Sequence, residues 1–395
     1  MRVLYLTSLE NTYNNDIHSN QVLALNGHGV NYTFLFLSPL FILNRKGFSI
    51  NRNKFDADVA SEIKIPILSY HLCMHALIIP YYLLVAIFPF LFKVRQLKPD
   101  IVHCRNMVST LLAVFARTFT RNKYKIVCDP RSVYVEECVI TKTFRFNGFN
   151  YRVWKKIEGY LYRKSDACIG LSDYFREYLA ASNPNSYFIP AVVNDKSIFS
   201  EEKRNKARLE NGLTDRDIVL CYIGSIDLWH SAEKLFYYLD SIKKVIPKSY
   251  NLKIVFLSGN TKVCNSIEAR YGEQAIVKCG RVKPSEVLDY LLLSDFGMVP
   301  GSDHKDDCYD LLYKTMISSK AEEYLVAGLP IFVNPCISSL SQLVKDNNAG
   351  IEDESKLVDA LKYDRSRISK VFVEMFGVSH VVDEFKNVYE SVKIN

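Results

Sequence analysis

Two adjacent acids in the stretch Ile317–Cys336, ISSKAEEYLVAGLPIFVNPC, pose the first chemical question. Ser319 can cap a helix, and Glu322 three residues on completes a capping box. Glu323 is then left charged in the first turn of a helix packed on a core. It is either a solvated acid or a ligand contact. Further candidates follow from the rule that parallel sheets bind ligands beyond the carboxyl ends of their strands. The run Ile101–Cys104 brings His103 and Arg105 to one side of the chain. Lys125–Cys128 ends in Asp129, Pro130 and Arg131, with Glu136 nearby. The first strand delivers Ser8, Glu10 and the polar run Asn11–Asn15, which includes Asn14. Tyr222-Ile223-Gly224-Ser225 is a strand running into a small-residue turn, where backbone N–H groups can approach a phosphate at a helix N-terminus.

Several other chemistries lack their signatures. No GxSxG elbow follows a strand, which counts against a serine hydrolase. Neither Walker A nor GxGxxG occurs, which counts against a P-loop NTPase or a nicotinamide-dependent dehydrogenase. Asp303-His304-Lys305-Asp306-Asp307 reads as a solvated loop rather than a metal site, so no metal ligand is expected.

The elements that must position these residues alternate along the chain. Val3–Thr7, Asn31–Leu37, Ile101–Cys104, Lys125–Cys128, Ala167–Leu171 and Tyr187–Ile189 are short apolar runs separated by longer amphipathic stretches. After the charged run EEKRNKARLENGLTDRD the alternation restarts, with Ile218–Ile223, Lys253–Leu257, Ala275–Cys279, Phe296–Val299 and Ile331–Val333. This is the βαβ pattern of parallel sheets covered by helices on both faces. Gly328, with Pro330 just beyond it, predicts a left-handed helix stop before the buried strand IFV. The expected architecture is α/β, with two doubly wound domains over residues 1–195 and 196–372. An amphipathic helix in residues 373–395 ends the chain.

Composition narrows the setting. The chain of 395 residues is 48% hydrophobic and 24% charged, as in a folded globular protein. Its ten cysteines include no CxxC pair, which suits reduced thiols in a cytosolic protein. MRVLYLTS reads as a strand rather than a signal peptide. Residues 1–195 carry 23 Lys+Arg against 14 Asp+Glu, and the remainder 27 against 29. All the excess positive charge therefore lies in the first half, where it can meet an anionic surface. Leu72–Phe92 is long enough to span a membrane, but His75, Pro80, Pro89 and the strands on either side favour a kinked helix, buried or lying on the membrane. Lys93, Arg95 and Lys98 follow it, which favours anionic lipid over nucleic acid as the partner.

Seven segments in order carry a family resemblance: KPDIVHCRN, CDPRSVYVEE, KSDACIGLSDYFREYL, FIPAVVNDKSIF, YIGSIDLW, GRVKPSEVLDYLLLSDFGMVP and SKAEEYLVAGLPI. The chain resembles the family 4 glycosyltransferases, retaining enzymes of the GT-B fold with two Rossmann-like domains facing across a cleft. The resemblance implies that Lys320, Glu323, Tyr324, Gly328 and Pro330 stand in the family's donor motif, with Glu323 on the nucleotide ribose. It implies that His103 reaches the donor sugar, and that Asp129, Arg131 and Glu136 line the acceptor side with Asn14 and Arg105. It further implies that the last helix crosses back onto the first domain.

The departures are specific. Thr315 stands where the family has the first acid of its E-x7-E pair. Ser225 and His230 replace the Arg and Lys that hold the donor diphosphate, which leaves that task to Arg281, Lys320 or the Gly224-Ser225 backbone. Asn14-Asn15 replaces a glycine-rich loop. The expected function is transfer of a sugar from a nucleotide-sugar donor, without metal or other cofactor, to a lipid-linked saccharide in bacterial surface polysaccharide assembly. The enzyme would sit in the cytoplasm, peripheral to the inner face of the plasma membrane. The alternatives are a non-catalytic GT-B partner subunit, or a nucleotide-sugar 2-epimerase on the same fold.

Overall fold

The computed structural model describes residues 1–8, 25–26, 29–39, 60–65, 75–120, 123–193, 198–226, 228–280, 282–303 and 306–394. The chain forms two compact units, Met1–Val192 with Val381–Asn395, and Val193–His380.

The first unit is built on a sheet of seven parallel strands. They are β1 (Arg2–Ser8), β2 (Asn31–Pro39), β3 (Ala60–Ile65), β4 (Ile101–Arg105), β5 (Lys125–Asp129), β6 (Ala167–Gly170) and β7 (Ser186–Phe188). Their spatial order is β3-β2-β1-β4-β5-β6-β7. The six apolar runs read from the sequence are all strands here. Only β3, the edge segment ASEIKI, escaped, because its polar residues carry no buried-strand signal. Register sets Leu4 beside Val102 and Thr7 beside Arg105, so β1 and β4 end together. In the helix Val378–Ile394, Phe385, Val388 and Tyr389 are buried within this unit.

Of the apolar stretch Leu72–Phe92, residues 72–74 lie outside the described residues; the remainder enters a helix, Ile79–Leu97, through a 3₁₀ turn capped by His75. It runs on through Lys93 and Arg95 and stops at Lys98, whose φ of 45° is left-handed. Pro89 lies inside it. One face, with Tyr82, Ala86, Ile87, Phe90 and Val94, is buried, and the Tyr82 hydroxyl meets Ser8 Oγ at 2.9 Å. Among the described residues, Ala76–Leu97 is the one segment long and apolar enough to cross a membrane, and 33% of an 18-residue apolar stretch within it is buried.

The second unit carries six parallel strands: β8 (Asp217–Ile223), β9 (Asn251–Ser258), β10 (Ala275–Cys279), β11 (Phe296–Val299), β12 (Ile331–Val333) and β13 (Gly350–Ile351). Their order is β10-β9-β8-β11-β12-β13. Tyr222, Leu235, Phe256, Met298 and Phe332 belong to the core under this sheet. The two residues of β13 were too few to read from sequence. The IFV strand is buried along its length, and Gly328 stops the preceding helix at φ 66°. A Cβ there would stand 2.5 Å from the Arg365 carbonyl oxygen, so position 328 needs glycine for space as well as conformation. The start of that helix corrects the sequence reading. Ser318, not Ser319, is the N-cap, and its side chain makes no cap bond. Glu322 thus falls one place beyond a capping box and is buried at 1% exposure.

Candidate functional site

In the second unit, β8 ends at Ile223 and turns at Gly224, whose φ of 126° suits glycine alone. Two side chains of the helix Ser319–Val326 close this turn. Tyr324 receives the Ile223 N–H on its hydroxyl at 2.8 Å. Its ring fills the space above β11, where a Cβ on Gly297 would lie 2.2 Å from it. Lys320 Nζ donates to the Tyr222 hydroxyl at 3.3 Å and to the Ser225 carbonyl at 3.4 Å. It also stands over the Tyr222 ring, 5.2 Å from the centroid. A cation and a strand-end turn are therefore held together, the arrangement that meets a phosphate.

Glu323 extends from the same helix into solvent. Protein mass around its carboxyl pushes it up to about 7, with Lys320 pulling the other way. Water at the exposed side chain moderates that push.

His230 is buried at 2% exposure, edge-on to the Tyr222 ring at 6.2 Å. Burial first, and Lys320 second, hold it well below the usual imidazole value, so it is neutral at pH 7. Its Nδ1 has no hydrogen-bond partner among the described residues. The position that the resemblance gives to a lysine thus offers a neutral ring, with the Lys320 ammonium near it. Thr315, at the place of the missing acid, is buried and turns its hydroxyl back onto the Leu311 and Leu312 carbonyls at 2.9 and 3.0 Å. Arg281 and Asn14 lie outside the described residues.

In the first unit lies His103, the residue expected to reach a donor sugar. It is fully buried, stacked on Tyr5 at 4.8 Å, with both ring nitrogens engaged. Tyr32 donates to the Tyr389 hydroxyl, and Tyr389 lies 2.7 Å from His103 Nδ1. Nε2 faces Asp129 Oδ2 at 3.2 Å. A chain of donors beginning at Tyr32 assigns the proton to Nε2, leaving Nδ1 to accept. Desolvation keeps the ring below its ordinary value despite Asp129, so it is a neutral bridge. Asp129 titrates near 2: burial pushes it up, but Arg131, the His103 hydrogen bond and Arg105 outweigh that.

The remaining acceptor-side candidates are similarly enclosed. Arg105, at 5% exposure, donates to the Tyr5 hydroxyl at 3.3 Å. Glu136 is tied to Lys155 at 3.1 Å and to the Tyr151 hydroxyl at 3.2 Å, and Lys155 links it to Glu158. Arg131 pairs with Asp129 at 3.5 Å from a left-handed φ of 64° and keeps 13% side-chain exposure. The structure unites His103, Arg105, Asp129 and Arg131, and separately Lys320, Glu323, Tyr324, Gly224, Ser225 and His230. Tyr389 escaped the sequence reading, since 286 residues separate it from His103 and no local motif announces the pair.

Comparisons with known proteins bear on this arrangement. Residues 56–194 match the family model described as Glycosyltransferase Family 4. Sucrose-phosphate synthase from Thermosynechococcus elongatus superposes with a TM-score of 0.68 at 12% identity, covering 99% of both chains. HepE from Anabaena, in complex with UDP, gives 0.66 at 11% identity, covering 99% of this chain and 100% of that one. The lipopolysaccharide outer core galactosyltransferase WaaB gives 0.64 at 14%, covering 99% of each. No curated protein sequence matches the chain. The chain thus has the GT-B fold of these structures, and residues 56–194 are similar to the family 4 glycosyltransferases.

Proposed function

We propose that this glycosyltransferase takes its sugar from a nucleotide-diphosphate donor held by the second unit, and passes it with retention to a lipid-linked saccharide. The carrying observation is the Lys320 ammonium seated 3.4 Å from the Ser225 carbonyl at the Gly224 turn. Breaking the bond to the sugar builds negative charge on the leaving diphosphate, and a preorganised cation is worth most where that charge develops. Lys320 fills this role without a metal, while Glu323 accepts from the ribose hydroxyls. HepE is seen with UDP, so UDP-sugars are the first donors to screen.

The acceptor belongs to bacterial surface polysaccharide assembly and reaches the enzyme at the inner face of the plasma membrane. The basic balance of residues 1–195 supports an anionic surface as partner. The buried Asp129 carboxylate, whose Oδ1 has no hydrogen-bond partner among the described residues, supports a polar ligand beside Arg131. Purified protein should be screened with UDP-sugars by thermal shift, since ligand binding stabilises the folded state by mass action. Donor turnover should persist in chelator and fall at least about a hundredfold in Lys320→Ala. Unchanged turnover in that variant would overturn the assignment.

A further inference from the structure

Away from the candidate sites, the first unit holds a cavity of 870 Å³ at the opposite, amino-terminal ends of β1, β4 and β5. Six cations line it: Arg2, Arg95, Lys98, Lys123, Lys125 and Lys393. Asp100 is the one acid, and it is already bound to Arg2 through the backbone N–H at 2.8 Å and the guanidinium at 3.4 Å. Lys125 shares Asp166 at 3.5 Å. Arg95, Lys98, Lys123 and Lys393 have no carboxylate within ion-pair distance among the described residues. Such a recess favours an anion strongly, since low-dielectric walls focus the field of like charges.

The same helix that supplies Arg95 presents an apolar stripe to solvent. Leu77, Tyr81, Leu84, Phe88 and Phe92 recur at helical spacing, with Leu84, Phe88 and Phe92 exposed at 62%, 70% and 68%. Arg95 follows Phe92 by three residues, so the stripe leads to the mouth of the cavity. Phe119, which lines the cavity, is 57% exposed and packs edge-on against Phe115 at 5.4 Å. Contiguous exposed aromatics beside unpaired cations are costly in water and mark a docking surface.

We propose that this cavity takes the phosphate of an anionic phospholipid, while Leu84, Phe88 and Phe92 enter the acyl boundary. The charge complementarity selects this occupant: the rim offers cations in excess, and the stripe offers only apolar and aromatic surface. The inference rests on the membrane-surface reading above for the source of the phosphate, and adds the place of contact.

The test is co-sedimentation of the full chain with phosphatidylcholine vesicles, with and without a third of phosphatidylglycerol. Wild type should bind the anionic vesicles and be released by high salt. Lys98→Glu/Lys123→Glu/Lys393→Glu should bind at least about a hundredfold more weakly, at about fivefold per cation. Phe88→Ser/Phe92→Ser should also lose binding. Circular dichroism melting checks that each variant is folded, and donor turnover in solution should stay at the wild-type level. If wild type ignores both vesicles, the membrane reading and the cavity proposal fall together. If wild type binds and the charge-reversed variant binds equally, the cavity proposal alone falls. Tight binding of inorganic phosphate without vesicle binding would overturn the lipid source. A dimer in analytical ultracentrifugation that Phe88→Ser/Phe92→Ser dissolves would assign the stripe to a second copy instead.

Discussion

The Lys320 side chain occupies the space that a β-carbon on residue 224 would need, its Cε lying 2.5 Å from that position. Glycine at 224 and the lysine at 320 are thus one requirement, although 96 positions apart in numbering, and it joins the strand-end turn to the helix that follows much later.

Gly224→Ala should therefore act through both strain and collision. The left-handed backbone costs about 1–3 kcal/mol for a residue with a side chain. Calorimetric unfolding should show a lower Tm, and the double variant Gly224→Ala/Lys320→Ala should lose less than the sum of the single ones, because the collision is then gone. Strict additivity would refute the coupling.

Tyr324→Phe removes the hydroxyl that accepts the Ile223 N–H at 2.8 Å. A donor left unpaired in a partly buried setting costs about 1–3 kcal/mol. Urea unfolding should show a lower midpoint at unchanged slope.

Glu323→Ala should weaken UDP-sugar binding by about 10- to 100-fold, the range of hydrogen bonds to a charged acceptor. The carboxyl is raised above its ordinary 4.5, so wild-type affinity should decline as pH falls and the group takes up a proton. Titration calorimetry at pH 8 and pH 6 checks both. In Glu323→Gln that pH dependence should disappear.

Acid should destabilise the fold in two windows. Folded His103 sits below its ordinary 6.5, as does His230, so below pH 6.5 the unfolded chain binds more protons and stability falls. Asp129 titrates near 2 against an ordinary 3.8, so its contribution is present above 3.8 and is lost as pH falls from there toward 2. Denaturant titrations from pH 7 to pH 5 should show His103→Gln losing less stability than wild type, one buried neutral imidazole having been removed. An equal loss would show that His103 is already charged in the native state.

The helix-stop-strand segment that carries Glu323 was largely legible because its parts are local. Gly328, Glu323 and Tyr324 lie within six positions, and a helix stop before a buried strand has a recognisable pattern. The cap was misplaced by one residue because Ser318 and Ser319 carry the same chemistry, and only the backbone turn distinguishes them. The surroundings of His103 were not legible for a different reason. A histidine at a strand end reads as open to ligand until the Tyr389 hydroxyl, from the last helix, is found 2.7 Å from its ring.

By itself the sequence determined the alternation of strands and helices, the two sheets and the likeness to family 4, because periodicity and short motifs are written in neighbouring residues. The tertiary structure alone decided which candidates face solvent. It buried His103, Arg105, Asp129 and Glu136 in networks and left Glu323 exposed. It also seated Lys320 on Gly224 and gathered Arg2, Lys98, Lys123 and Lys393 around one cavity. Burial and charge clustering depend on contacts between distant segments, and no local pattern encodes them.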